Sequence, residues 1–293
     1  MSSRVLGMLS MLIRENLVAG DLRRQPEEHL VMDAPDQADA WHAQGADDGP
    51  ILPVYHLNAL ACSRLAPAGS TVIDLGCGSG RFAAYLARQR PDLRIIGFDL
   101  SAPMVELGNA ALREAGLAGR VELRRGDMTA FARTLPADTA LINCLFAMHH
   151  LPAIEHVDRC MAEIRDAGER TGCGLWILDL VRPRHIRTAV DYPRVFTPDA
   201  PEVFRTDSTN SLVAAYSHDE LSGAVARAFP RGSVRSAHSR ILPLYQAFWF
   251  AGRKPRDALA QPVDHPARGG TGLPPAARGQ YRALRAILSD FPH

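Results

Sequence analysis

The chain has 293 residues, 46% hydrophobic and 22% charged, which is ample apolar material for one large domain or one domain with appendages. Lysine plus arginine number 33 against 32 acids, a net charge of +1, so the global electrostatic footprint of a nucleic-acid or anionic-membrane binder is excluded. The five cysteines, Cys62, Cys77, Cys144, Cys160 and Cys173, are odd in number and contain no C-x-x-C pair, so neither a disulfide framework nor a zinc knuckle is expected. A reducing, cytoplasmic setting and no metal fit this usage.

At the amino terminus "RVLGMLSMLI" follows no signal-peptide pattern, because Arg14 and Glu15 interrupt it and no small-x-small site comes after. Nothing in the chain reaches the ~18 apolar residues of a spanning helix. The spacing predicts an amphipathic helix with Val5, Met8, Leu9, Leu12 and Ile13 on one stripe, packed on the core or lying over a ligand as a lid. From residue 68 the pattern becomes regular. "TVIDL", "RIIGFDL", "RVELRRGD", "TALINCLF" and "GLWILDLV" are β-branched apolar runs separated by helical patterns near 80–90, 102–116 and 154–164. Such alternation predicts a doubly wound α/β fold, a mostly parallel Rossmann-like sheet of about seven strands covered on both faces. After a helix near 217–228, "RGSVRSAHSRI" and "LYQAFWFAG" are joined by too little chain for a crossover and predict an antiparallel edge hairpin. Residues 254–277 are rich in Pro, Gly and Ala and read as a linker, followed by a short helix around "YRALRAILSDF". The expected organisation is a helical cap over 1–60, a ligand-binding domain over 61–253 and a tail over 254–293.

"VIDLGCGSGRF" places Gly76, Gly78 and Gly80 where the first strand turns into the first helix, at the carboxyl edge of the sheet where open α/β folds bind ligands. A bare backbone there admits close approach, and the helix start offers unpaired N–H groups. The dinucleotide fingerprint G-x-G-x-x-G fails, since Arg81 stands at its third glycine, and the Walker loop fails as well. Asp74, Asp99 and Asp127 fall at the ends of the first three strands. Three acids around one crevice suit a ligand bearing positive charge, ribose hydroxyls and an amine rather than phosphates.

At these residues the chain resembles the class I S-adenosylmethionine-dependent methyltransferases. "VIDLGCGSGRF", "IIGFDLSAPMVELGNA", "RRGDM" and "LINCLFAMHHL" are similar to the family's first four motifs in order, and the resemblance covers about residues 50–253. "DLVRP" and "NSLVAAYSHDEL" resemble a bacterial subgroup acting on small molecules. The resemblance implies S-adenosyl-L-methionine as cofactor, with Asp74, Gly76, Cys77, Gly78 and Gly80 at its methionine end and Asp99 on the ribose. It further implies Asp127 at the adenine amine and Leu100 and Met128 about the ring, with Met104 and Asn143 completing the set. His149 and His150 are the candidate bases, of which at most one is expected to face the crevice, since adjacent helical residues diverge. Tyr55, His56 and Asn58 precede the first strand in a segment that can fold over the cofactor. Tyr55, Arg182, Asn210 and Tyr216 are the candidate substrate contacts, Arg182 for a carboxylate.

Other chemistries are disfavoured. "NCLF" lacks the prolines of a DNA amino-methyltransferase, the cysteines are too scattered for arsenic methylation, and Asn143 with Cys144 gives no carboxylate cluster for a metal-dependent catechol enzyme. The expected function is methyl transfer to N, O, S or C of a small acceptor in specialised metabolism, without nucleic acid or membrane. Oligomeric state is open, a homodimer included. A nicotinamide-dependent oxidoreductase and a noncatalytic scaffold are the competing readings.

Overall fold

Seven strands form one sheet in the order β3-β2-β1-β4-β5-β7-β6 in the computed structural model, which describes residues 3–27, 42–43, 49–230, 232–239, 242, 244–253 and 272–287. The strands are β1 (Thr71–Leu75), β2 (Arg94–Asp99), β3 (Val121–Arg125), β4 (Thr139–Leu145), β5 (Gly174–Leu180), β6 (Arg235–His238) and β7 (Tyr245–Phe250). The first five pair in parallel. β7 runs antiparallel to both β5 and β6, so the expected edge hairpin is present, but its second strand lies inside the first. The reason is visible in composition: "YQAFWF" is apolar enough for an inner position, whereas "RSAH" is half exposed and suits an edge.

Nine helices lie among the described residues: α1 (Ser3–Leu17), α2 (Leu52–Leu65), α3 (Arg81–Gln89), α4 (Ala102–Glu114), α5 (Ile154–Thr171), α6 (Ile186–Phe196), α7 (Glu202–Ala214), α8 (His218–Ala228) and α9 (Pro275–Ile287). Their ends follow local chemistry. Ser101 caps α4 by accepting from the Met104 N–H at 3.3 Å, Ser217 and Glu220 form a reciprocal capping box on α8, and Gly172 closes α5 at φ 73°. Alternate strand residues feed two cores, with Val72, Ile95, Leu141 and Trp176 on one side of the sheet and Ile73, Ile96, Ile142 and Ile177 on the other.

Three features differ from the sequence expectation. In α1 the fully buried apolar residue is Met11, with Met8 and Leu12 partly covered, while Val5, Leu9 and Ile13 are exposed; the helix sits one position round because Glu15, itself buried, accepts the backbone N–H of Arg184 at 2.7 Å. α6 and α7, inserted between β5 and α8, are not signalled by the chain's periodicity as read above. α9 starts at Pro275, within the stretch read as linker, and docks on α2, where Tyr281 is buried and meets the His56 ring edge-on at 5.0 Å. Residues 254–271 of that stretch lie outside the described residues. α2 itself runs across the expected 60/61 boundary.

Candidate active site

A cavity of about 1100 Å³ opens at the carboxyl edge of the sheet, lined from β1, β2 and β4 and roofed by α1, α2, α6 and α7. This exceeds the roughly 300–1,000 Å³ of a pocket for one small ligand and gives room for two molecules.

The glycine loop forms one wall. Gly76 and Cys77 donate their N–H groups to the Phe98 carbonyl at 2.8 and 3.1 Å, bending the chain sharply off β1. Gly78, at φ 53°, has nothing within 4 Å of where a Cβ would stand, so the backbone faces open cavity. Gly80 differs. It lies at φ 69° as the N-cap of α3, a Cβ there would come 2.7 Å from Leu123, and it does not line the cavity.

The carboxylates follow. Asp99 ends β2 and accepts from the Gly78 N–H at 2.7 Å and the Ser101 N–H at 2.9 Å; burial raises its pKa against these bonds. Asp127 lies past β3 and is held by Thr129 through its N–H at 2.7 Å and its hydroxyl at 2.8 Å. Asp74 is buried in β1 and its pKa is pushed up to about 7, first by desolvation and further by the nearby Asp99 charge, while the Asn143 amide opposes the shift from 2.6 Å. Asn143 does not line the cavity itself. It links Asp74 to Asn58, whose amide donates to the Asn143 oxygen at 3.0 Å, and Trp176 in turn donates to Asn58. Leu100, Met104 and Met128 complete this half, and Tyr55, its phenol pKa raised by burial, borders it beside Phe82. His56 instead bonds the Tyr85 hydroxyl at 2.7 Å in the core.

Both histidines after β4 line the cavity, contrary to the divergence expected of adjacent helical residues. They stand on a tight 3₁₀ turn, Met148–His150, and their rings lie 4.2 Å apart. His149 Nδ1 bonds Asp179 at 2.7 Å, and since Asp179 also accepts the His149 and Leu180 backbone N–H groups it remains the acceptor, so the imidazole carries its proton on Nδ1. His150 bonds Glu27 at 2.5 Å. Burial lowers the His150 pKa and raises that of Glu27, yet their mutual bond and charges outweigh it, so His150 ends above its usual value and Glu27 falls to about 2. Glu27, His149 and His150 bring one donor atom each within 4.8 Å, a spacing that suits a metal, but their bonds to one another, Asp179 and Ser211 already account for the arrangement.

Of the four substrate candidates, Tyr55 and Asn210 line the cavity, and Arg182 and Tyr216 do not. Arg182 pairs with Glu220 at 3.0 Å and donates to the Leu22 and Ala215 carbonyls; Tyr216 donates to Leu151 and lies under the Arg24 guanidinium at 3.9 Å. Arg24 also donates to the carbonyls of His149, Leu151, Pro152 and Ala214, tying the segment after α1 to the histidine turn. Glu27, Asp179 and Arg24 went unnoticed in the sequence. Asp179 alone left a trace, as the acid ending a buried strand in "LDLV".

The profile of the family described as a methyltransferase domain matches residues 72–172, which span β1 to the Gly172 cap of α5. Over these residues the chain is similar to a methyltransferase domain. Among curated relatives, a ubiquinone biosynthesis O-methyltransferase of Xanthomonas axonopodis pv. citri (strain 306) is 26% identical over 125 residues, 41% of this chain and 51% of that protein. A trans-aconitate 2-methyltransferase of Azoarcus sp. (strain BH72) is 36% identical over 83 residues, 28% of this chain and 30% of that protein. The chain spans about half of these relatives' length or less. In fold, the plantazolicin methyltransferase BpumL, solved with SAH, superposes at a TM-score of 0.54 with 11% identity, covering 86% of this chain and 100% of that one.

Proposed function

We propose that this protein transfers the methyl group of S-adenosylmethionine to a nucleophilic N, O, S or C atom of a small-molecule acceptor. The observation that carries the reading is the convergence of Asp74, Asp99 and Asp127, from three adjacent strands, on one cavity beside a bare glycine backbone. The donor set fits the cofactor. Asp74 is a buried carboxylate whose partner is a neutral amide, so an incoming cation would relieve its raised pKa, and the open side of Gly78 is a cradle that a Cβ would fill.

When bound, the cofactor supplies an electrophilic methyl on a sulfonium. Asp74 with Gly76, Cys77 and Gly78 would hold its methionine end, Asp99 the ribose hydroxyls and Asp127 the adenine amine, with Leu100 and Met128 as apolar contacts for the ring. Catalysis rests mainly on orientation and exclusion of water by the roofing helices, because the charge on sulfur disperses as the methyl moves. Where the acceptor is a hydroxyl or amine, His149 Nε2 takes its proton and Asp179 steadies the resulting imidazolium. A reducing compartment agrees with the five free thiols, and the setting in specialised metabolism rests on the subgroup resemblance alone. Among the described residues no helix is long and apolar enough to cross a membrane.

The test is Asp99→Asn. In the folded variant, S-adenosylmethionine affinity should fall by about 1–3 kcal/mol through lost charge-assisted hydrogen bonds. Unchanged affinity would remove Asp99 from the site.

A further inference from the structure

The acceptor half of the cavity has a wall whose composition restricts what it can hold. Phe146, directly after β4, adopts φ 53°, the only positive φ among the described non-glycine residues. A bulky side chain in that region is held by its surroundings, and such outliers gather where a ring must be aimed. The Phe146 ring stacks on Tyr245 at 6.0 Å and 27°, the Tyr245 and Tyr192 hydroxyls bond each other, and Tyr192 meets Phe196 at 4.9 Å. All four line the cavity. The two phenol groups bond each other, which leaves the four rings as the main surface this ladder offers an occupant. It also adjoins the cofactor half: Ala147, the next residue, lies so close to Gly76 that a Cβ there would come 2.3 Å from the alanine methyl.

Charge narrows the occupant further. The described lining contains five acids, Glu27, Asp74, Asp99, Asp127 and Asp207, against a single arginine, Arg81, whose Nε donates to the His42 carbonyl at 2.9 Å. His150 is bonded to Glu27. With the Arg81 Nε engaged by the His42 carbonyl, an anionic acceptor would enter a field predominantly of its own sign.

We propose that the acceptor is an aromatic-bodied molecule without carboxylate or phosphate groups, its rings seated on Phe146, Tyr245, Tyr192 and Phe196. This rests on the methyl-transfer reading for the word acceptor, but the seat is a property of the cavity and can be measured without turnover. The chemistry differs from the tricarboxylate in the name of the Azoarcus relative.

The experiment titrates the full chain with 4-phenylphenol and with 4-phenylbenzoate, a matched neutral and anionic pair, at pH 7.5, each with and without saturating S-adenosylhomocysteine. The phenol is expected to bind at least tenfold more tightly than the benzoate. Phe146→Gly, a change the positive φ tolerates, should weaken the phenol at least tenfold and leave S-adenosylhomocysteine affinity within twofold. Equal or tighter binding of the benzoate, no binding of either probe, or an unaltered phenol affinity in Phe146→Gly would overturn the proposal. Failure to bind S-adenosylhomocysteine would instead strike the cofactor reading, and the ratio of the two probes on the free protein would still report the seat.

Discussion

Asn143 donates through its side-chain amide to Asp74 at 2.6 Å, in the middle of a buried relay that runs from Trp176 through Asn58 to the cavity wall. The relay joins α2, β1, β4 and β5 and fixes a carboxylate buried within the sheet. Asn143→Ala would leave Asp74 and Asn58 each short of a partner, and an unsatisfied buried polar group costs about 1–3 kcal/mol. A loss of about 2–4 kcal/mol in urea unfolding is expected, with weaker S-adenosylmethionine binding. A variant as stable as the parent would show the relay to be incidental.

The Asp74 pKa of about 7 has a definite sign. Its folded value lies above the ordinary carboxylate range, so the folded state prefers the proton: the group's contribution to stability is complete below about pH 4 and is lost as pH rises through 7. Asp74→Asn, which cannot ionise, should gain stability relative to the parent between pH 5 and pH 8. Cofactor affinity of the parent should move the opposite way and rise over the same interval, because the sulfonium and ammonium favour the ionised carboxylate. Unfolding curves and titrations at the two pH values check both arms, and a flat response in each would reject the placement of the charge.

Gly80 and Gly78 should separate stability from binding. Gly80→Ala forces a methyl against Leu123 at a positive φ and is expected to cost about 1–3 kcal/mol of stability with the cavity unobstructed. Gly78→Leu meets open space, pays about 1–2 kcal/mol for its left-handed φ, and projects into the cavity. Cofactor affinity should fall in the second variant and hold in the first. Paired melting and titration measurements decide it.

Tyr281 is buried against His56, together with Leu273 and Leu284. Truncating a large buried aromatic costs about 3–5 kcal/mol where the site cannot collapse, so Tyr281→Ala should lower the unfolding free energy by an amount of this order and shift the denaturant midpoint down accordingly. An unchanged midpoint would mean that α9 contributes nothing to the core.

Much of the fold was legible because each strand from β1 to β5 is a short β-branched run bounded by helical periodicity, a pattern set by local chemistry. The glycine loop and the three strand-end acids were legible for the same reason: topology alone carries consecutive strand ends to one crevice. What stayed hidden depends on distant chain. Glu27 reaches His150 across 123 residues, and Arg24 grips the histidine turn from a segment that carries no motif. Arg182 looked like a substrate clamp by its place after β5, but Glu220, brought alongside by α8, takes its guanidinium. The aromatic ladder joins β4, α6 and β7, so no window of sequence contains it.

The central claim is tested most directly by calorimetric titration of the purified chain with S-adenosylmethionine, S-adenosylhomocysteine and NAD in parallel. The account predicts one-to-one binding of the first two at micromolar affinity and no heat with NAD. Binding of NAD alone, or of none of the three, would contradict it.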